Sequence, residues 1–220
     1  MTEAEWLTCT RSVDLVFALL NMELGKSERK RRLFSVACCR RIWPLLDDSS
    51  QNAVDSVERF ADGNAPASEL QTAEEAAHAA RRTAITNQDT RRECAADAAY
   101  NATFGEAQDI VANSAAEACV LAEHSWSEDK GKEFAHQSDL LRDIFGNPFR
   151  RVALDPAWRS VTVASLAETI YAERAFDRLP ILADALEDAG CTHADILEHC
   201  RGPGPHARGC WVVDLVLGRE

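Results

Sequence analysis

The sequence predicts an all-α protein, a multi-helix array with an alanine-rich bundle in its middle and a compact C-terminal helical unit. Three observations carry that reading. Apolar residues recur three and four apart through most of the chain, the spacing of one helix face. Residues 68–125 are rich in alanine, the best helix former. Capping residues, glycines and prolines fall where such helices would start and stop.

Taken in order, Leu15, Val16, Leu19 and Leu20 follow Ser12 on one helical face, and Gly25 ends the segment. Ser27 caps a second helix from Glu28 to about Trp43. Its middle, Leu33 to Cys39, carries no charge on any side, as expected of a helix buried all round. Pro44 stops it. A helix over Ser50–Ala61 turns Val54, Val57 and Phe60 inward, with Gly63 as its stop.

In the alanine-rich stretch, Ser68 and Gln71 are spaced as a capping box. Leu70, Ala73, Ala77 and Ala80 then share a face, as do Cys94, Ala95, Ala98, Ala99 and Ala102, and Ala107, Ile110, Val111, Ala118 and Leu121. A hairpin or three-helix layer is expected, with breaks at Thr86–Thr90 and Gly105. Alanine faces let helices approach closely. No repeat of fixed period is present.

A helix over Glu133–Phe145 ends at Gly146. The irregular segment 147–156 divides an N-terminal helical region, 1–146, from a C-terminal unit, 157–220, with one continuous domain as the alternative. In that unit Val163, Leu166, Ala167, Ile170 and Tyr171 form one face. Pro180 sits in a first turn, Gly190 is a stop, and Thr192 with Asp195 reads as a capping box. Gly202-Pro203-Gly204-Pro205 is a rigid turn. The tail Trp211–Leu217 reads as helix, because a lone strand would have no partner.

The 220 residues are 46% hydrophobic and carry a net charge of −12, which suits a globular core and argues against broad nucleic-acid binding or an anionic membrane surface. No apolar run approaches the roughly 20 residues that span a bilayer. Met1 to Leu7 is acidic and mixed, unlike an export signal. The eight cysteines include the vicinal pair Cys38-Cys39 and read as free thiols of a cytoplasmic protein.

Cys191, His193, His199, Cys200, His206 and Cys210 crowd the C-terminal unit. Zinc takes four thiolate or imidazole ligands, and Cys191, Cys200, His206 and Cys210 are the expected set. His199 and Cys200 stand about 100° apart on a helix, so they do not serve one ion together. Cys200 or Cys210 beside His206 would also make a thiol nucleophile with a base, but the apolar Trp211-Val212-Val213 raises a thiol pKa. A remoter option is a carboxylate-bridged di-iron oxidase. It would use Glu75-x-x-His78 and Glu133-x-x-His136 with Glu58, Glu106 or Glu117. The basic run Lys26, Arg29, Lys30, Arg31, Arg32, Arg40 and Arg41 reads as counter-charge for acidic helices. No phosphate loop, dinucleotide fingerprint or serine elbow is present.

Several segments resemble an uncharacterised, paralog-rich bacterial protein family. They are the Met1–Leu7 opening, the Arg31–Trp43 helix with its Cys-Cys-Arg-Arg, Leu140–Arg150, Ala175–Leu186, His199–His206 and Gly209–Asp214. The stretch after Trp158 is shorter here, and the alanine-rich middle matches only in composition. The resemblance implies a shared fold and supplies no activity, cofactor or site. The expectation is a non-enzymatic cytoplasmic protein-interaction or regulatory module with a protein partner. The alternative is a zinc-binding or thiol-dependent protein.

Overall fold

A computed structural model describes residues 1–105 and 128–219. Among them are eleven α-helices and no strand. The first five are α1 (Glu3–Thr8), α2 (Ser12–Leu20), α3 (Glu28–Arg41), α4 (Asp48–Ala61) and α5 (Ala67–Thr86). Then come α6 (Thr90–Ala102), α7 (Glu128–Phe145), α8 (Val161–Glu173), α9 (Leu179–Asp188), α10 (Ala194–Arg201) and α11 (Trp211–Leu217). The third alanine face, Ala107 to Leu121, lies outside the described residues, as do Glu106 and Glu117.

Local chemistry accounts for most starts. The Ser27 hydroxyl accepts from the Lys30 N–H at the head of α3, and Asp47, Asp89 and Ser160 cap α4, α6 and α8 in the same way. Two expected capping boxes do not form. Pro66 precedes α5 and leaves Ser68 inside the helix, and His193 precedes α10, one residue beyond Thr192. A capping box that the spacing of apolar residues did not reveal opens α1, where Thr2 and Glu5 exchange hydrogen bonds.

α3 is central and packs on α4, α6 and α7. Leu33, Phe34, Val36, Cys38 and Cys39 are fully buried, the last four in a cluster with Trp6, Leu15, Val54, Val57, Leu141 and Ile144. The uncharged middle of α3 needs neighbours on every side, and the fold provides them. Alanines 53, 73 and 77 make a separate small-residue contact between α4 and α5. A second cluster joins α8, α9, α10 and α11 through Ile170, Leu179, Leu182, Leu186, Ile196 and Val213. The stretch from Gly146 to Ser160 between the two clusters contains only a 3-10 turn at Pro156–Trp158.

The two clusters meet across buried charge. Arg29 of α3 donates through Nη1 and Nη2 to both oxygens of Asp214 in α11, at 2.7 and 3.0 Å. The same guanidinium reaches Asp62 at 3.2 Å and the Tyr171 hydroxyl at 2.7 Å. Tyr171 in turn donates to Asp62 at 2.5 Å, and Arg219 stacks 4.1 Å over its ring. Glu58 is buried beside Arg40, Arg174 and Arg208. Other members of the basic run also find partners, Arg32 on Glu28 and Arg41 on Glu133.

Removing one member of a buried ion pair leaves its partners as uncompensated charge, at a cost of about 3–5 kcal/mol. Arg29→Met is therefore expected to lower the melting temperature by roughly 6–20 °C for a chain of this size. Arg11→Ala, which breaks an exposed pair with Asp14 at 3.3 Å, should leave it unchanged. Thermal unfolding followed by circular dichroism checks both.

Candidate metal centre

Asp143 occupies the last turns of α7, among Leu140, Leu141, Ile144 and Phe145. It is 2% exposed, because α7 is covered by α2 and α3 and is also met by α11. A carboxylate there needs polar company, and the C-terminal unit supplies it. His199 comes from the last turn of α10 and His206 from the loop that follows the Gly202–Pro205 turn. Cys210 is the residue that starts α11. Gly209 lets the loop come this close. Its φ is +91°, and a Cβ there would sit 2.9 Å from a Leu33 methyl and 3.4 Å from Ile144.

Asp143 Oδ1 lies 2.7 Å from His206 Nδ1 and 3.1 Å from His199 Nε2. His199 Nε2 lies 3.2 Å from Cys210 Sγ. One ligand atom from each of these four residues falls within 4.8 Å of all the others, and no other such group of His, Cys, Asp or Glu occurs among the described residues. The surroundings hold the donors in place. The Ala207 N–H donates to Asp143 Oδ2 at 2.9 Å, which aims Oδ1 at the histidines. His206 Nε2 faces the Gly202 carbonyl at 3.4 Å, leaving Nδ1 toward the cluster.

Electrostatics follow from burial and pairing. Burial pushes the Asp143 carboxyl up, but hydrogen bonds from His199 and His206 outweigh it and hold the group below the usual carboxylate range. Burial pushes His206 down, and Asp143 more than reverses this, so the imidazole holds its proton above the ordinary range. Burial, then the Asp143 charge, keeps the Cys210 thiol protonated well above its usual value. Cys210 is fully buried, and His199, with 17% of its side chain exposed, is the cluster's most open member.

Of the four residues expected from sequence to bind zinc, His206 and Cys210 are in this group and Cys191 and Cys200 are not. The latter two are buried in the C-terminal apolar cluster, where burial raises the Cys200 thiol to about 12. His199 turns away from Cys200, as its helical offset requires, and takes the place in the group. Asp143 was missed. Its one signal is that Arg142-Asp143 stands between the apolar pairs Leu140-Leu141 and Ile144-Phe145.

A thiol–imidazole pair does exist, with His199 rather than His206. Asp143 and Cys210 meet the same nitrogen of His199, so the imidazole cannot relay a proton from one to the other, as a nucleophile–base–carboxylate arrangement requires. The described residues proposed for di-iron do not converge. Glu133 is buried against Arg41, Glu58 lies among arginines, and Glu75, His78 and His136 are exposed.

No family model, curated protein or solved structure matches this chain.

The Asp143–His206 pair fixes how metal-free protein responds to pH. His206, raised on folding, adds stability that is complete below about pH 6.5 and lost as pH rises through the folded value. Asp143, lowered on folding, adds stability present above about pH 3.9 and lost on acidification. Chelator-treated protein should therefore show its highest urea midpoint in the mildly acidic range. The decline toward pH 8.5 should be shallower in His206→Gln. A wild-type profile that is flat over this range would contradict the pairing.

Proposed function

We propose that this protein is a non-enzymatic binding and regulatory module whose two helical units are locked by one divalent transition metal, zinc by its donor set, at Asp143, His199, His206 and Cys210. The observation that carries the reading is the convergence of four donor atoms within 4.8 Å from three separate parts of the chain. Two imidazoles, a thiolate and a carboxylate suit zinc better than magnesium or calcium, which take oxygen ligands.

The spacing supports the same ion. Tetrahedral bonds of 2.0–2.3 Å put neighbouring donors about 3.3–3.8 Å apart. Contacts of 2.7, 3.1 and 3.2 Å would open by roughly half an ångström, and the widest pairs, which reach 4.8 Å, would close by about 1 Å. Binding would replace the Cys210 thiol proton and the shared His206 proton, so uptake releases protons and weakens in acid. The bound ion would join α7 to α10 and α11 at the seam that Arg29 already bridges.

A non-catalytic role is supported by the burial and high pKa of Cys210 and by the single nitrogen through which His199 meets both neighbours. None of the seven described cysteines is in a disulfide, which fits the reducing cytoplasm. No described helix is long and apolar enough to cross a membrane.

Protein purified without a histidine tag is expected to retain close to one equivalent of zinc, and Cys210→Ser and His206→Ala to retain far less. Cobalt substitution should give a thiolate charge-transfer absorption that Cys210→Ser abolishes. Zinc at a thousandfold its dissociation constant should stabilise by about 4 kcal/mol, roughly 8–16 °C in melting temperature. Failure to take up zinc, cobalt or nickel, with no change in melting temperature, would overturn the reading.

A further inference from the structure

We infer that the divalent ion reaches and leaves the cluster through the cleft beside it, drawn along α10 by Asp195 and Glu198 and admitted past His199. This inference rests on the metal-binding reading and deepens it to how the site is loaded. The cleft has a volume of about 1050 Å³ and lies between α1, the end of α7 with the 146–152 loop, and the faces of α10 and α11. Six waters occupy roughly 180 Å³ of liquid, so the cleft has room for an ion with its hydration shell.

Of the four donors, His199 alone lines the cleft. Its side chain is 17% exposed, against 10% for His206 and 2% for Asp143, and Cys210 is fully buried. Both ring nitrogens of His206 are engaged, by Asp143 and by the Gly202 carbonyl, so what it shows to solvent is ring carbon. An ion arriving from the cleft therefore meets His199 first. That ring covers the two donors it touches, Asp143 Oδ1 at 3.1 Å and Cys210 Sγ at 3.2 Å. Turning it aside uncovers both, and turning it back completes the set.

Asp195 and Glu198 stand four and one residues before His199 on α10, and both line the cleft. Neither has a hydrogen bond or ion pair among the described residues. Most of the cleft's cations are already neutralised. Arg142 pairs with Asp139 at 2.9 Å, Arg150 with Glu3 at 2.5 Å, and Arg219 with Glu168 and Asp62 at 3.5 and 4.0 Å. Asp214 is held by Arg29 through both oxygens. Of the other two cations, Arg151 is exposed in the loop, and Lys30 donates to the Ile144 carbonyl at 2.9 Å. The uncompensated negative charge thus sits on the wall that carries His199. An acidic pair alone is an ordinary solvated helix face. The four donors converging within 4.8 Å beyond it give this pair a cation to guide. Charge of one sign along a cleft raises the local concentration of counter-ions and their rate of entry.

The test mixes the chelator-treated full chain with cobalt in a stopped-flow instrument. Arrival is read as the Cys210 thiolate charge-transfer absorption, so ions held elsewhere do not register. Asp195→Asn with Glu198→Gln should slow loading at least fivefold, with the final absorption per chain unchanged. Glu74→Gln with Glu75→Gln, on α5 outside the cleft, removes the same charge and should load within about twofold of wild type. Glu198→Lys, a reversal at an exposed position, should slow loading at least tenfold. Added salt should slow the wild type and the α5 control more than the α10 double variant. Circular dichroism confirms that each variant is folded. Loading of the α10 double variant and of Glu198→Lys at the control's rate, with full final absorption, overturns the route and leaves the metal-binding reading standing. Absence of the absorption in every protein, wild type included, overturns both, so the two failures are distinguishable.

Discussion

The Arg29 guanidinium is shared by Asp62, Asp214 and Tyr171, and the meeting of the two halves depends on it. Asp62 and Asp214 side chains are each 1% exposed, so neither keeps its charge there without a cation. Arginine alone among the side chains offers five donors in a flat fork, enough to serve two carboxylates and a phenol together. That requirement fixes the end of α4, the start of α3, the end of α8 and the face of α11 relative to one another. Hydrophobic clusters build each half, but they are nondirectional, and it is the charged seam that dictates one alignment.

Asp143 presents the same constraint within the same junction. Its carboxylate is buried against apolar residues of α7 and is served wholly by the C-terminal unit, through His199, His206 and the Ala207 N–H. The loop that delivers these groups is positioned by Gly209, where a side chain would collide with Leu33. The donor cluster, the cleft and the ion-paired seam are therefore neighbouring parts of one junction. His199 and Trp211 line the cleft, and their rings lie 5.2 Å apart.

How much of this was legible in the residues differs from element to element. The helix cap at Ser27 and the break at Thr86–Thr90 were readable, because capping is settled within three or four residues, whereas the cap at Ser160 was not singled out. The buried middle of α3 was readable because seven consecutive uncharged residues cannot face water on any side. The missed helix α1 is only 6 residues long, too short for periodicity to show. Ser68 and Thr192 had the right spacing for capping boxes, but Pro66 and His193 took the cap positions. In the candidate site, His206 and Cys210 were legible as metal-binding types close together in sequence. Cys191 and Cys200 were equally plausible there and went instead into the apolar core, where a thiol behaves as a small hydrophobe.

By itself the sequence determined the helical class, most helix ends, the buried character of α3 and the abundance of donor residues near the C-terminus. These follow from interactions within a few residues along the chain. Only the tertiary structure decided which donors converge, because Asp143 lies 63 residues before His206 and 67 before Cys210. It likewise decided that Arg29 serves Asp214 rather than a neighbour on its own helix. Pairings of that span depend on how whole helices pack, and helical periodicity carries no record of which face meets which.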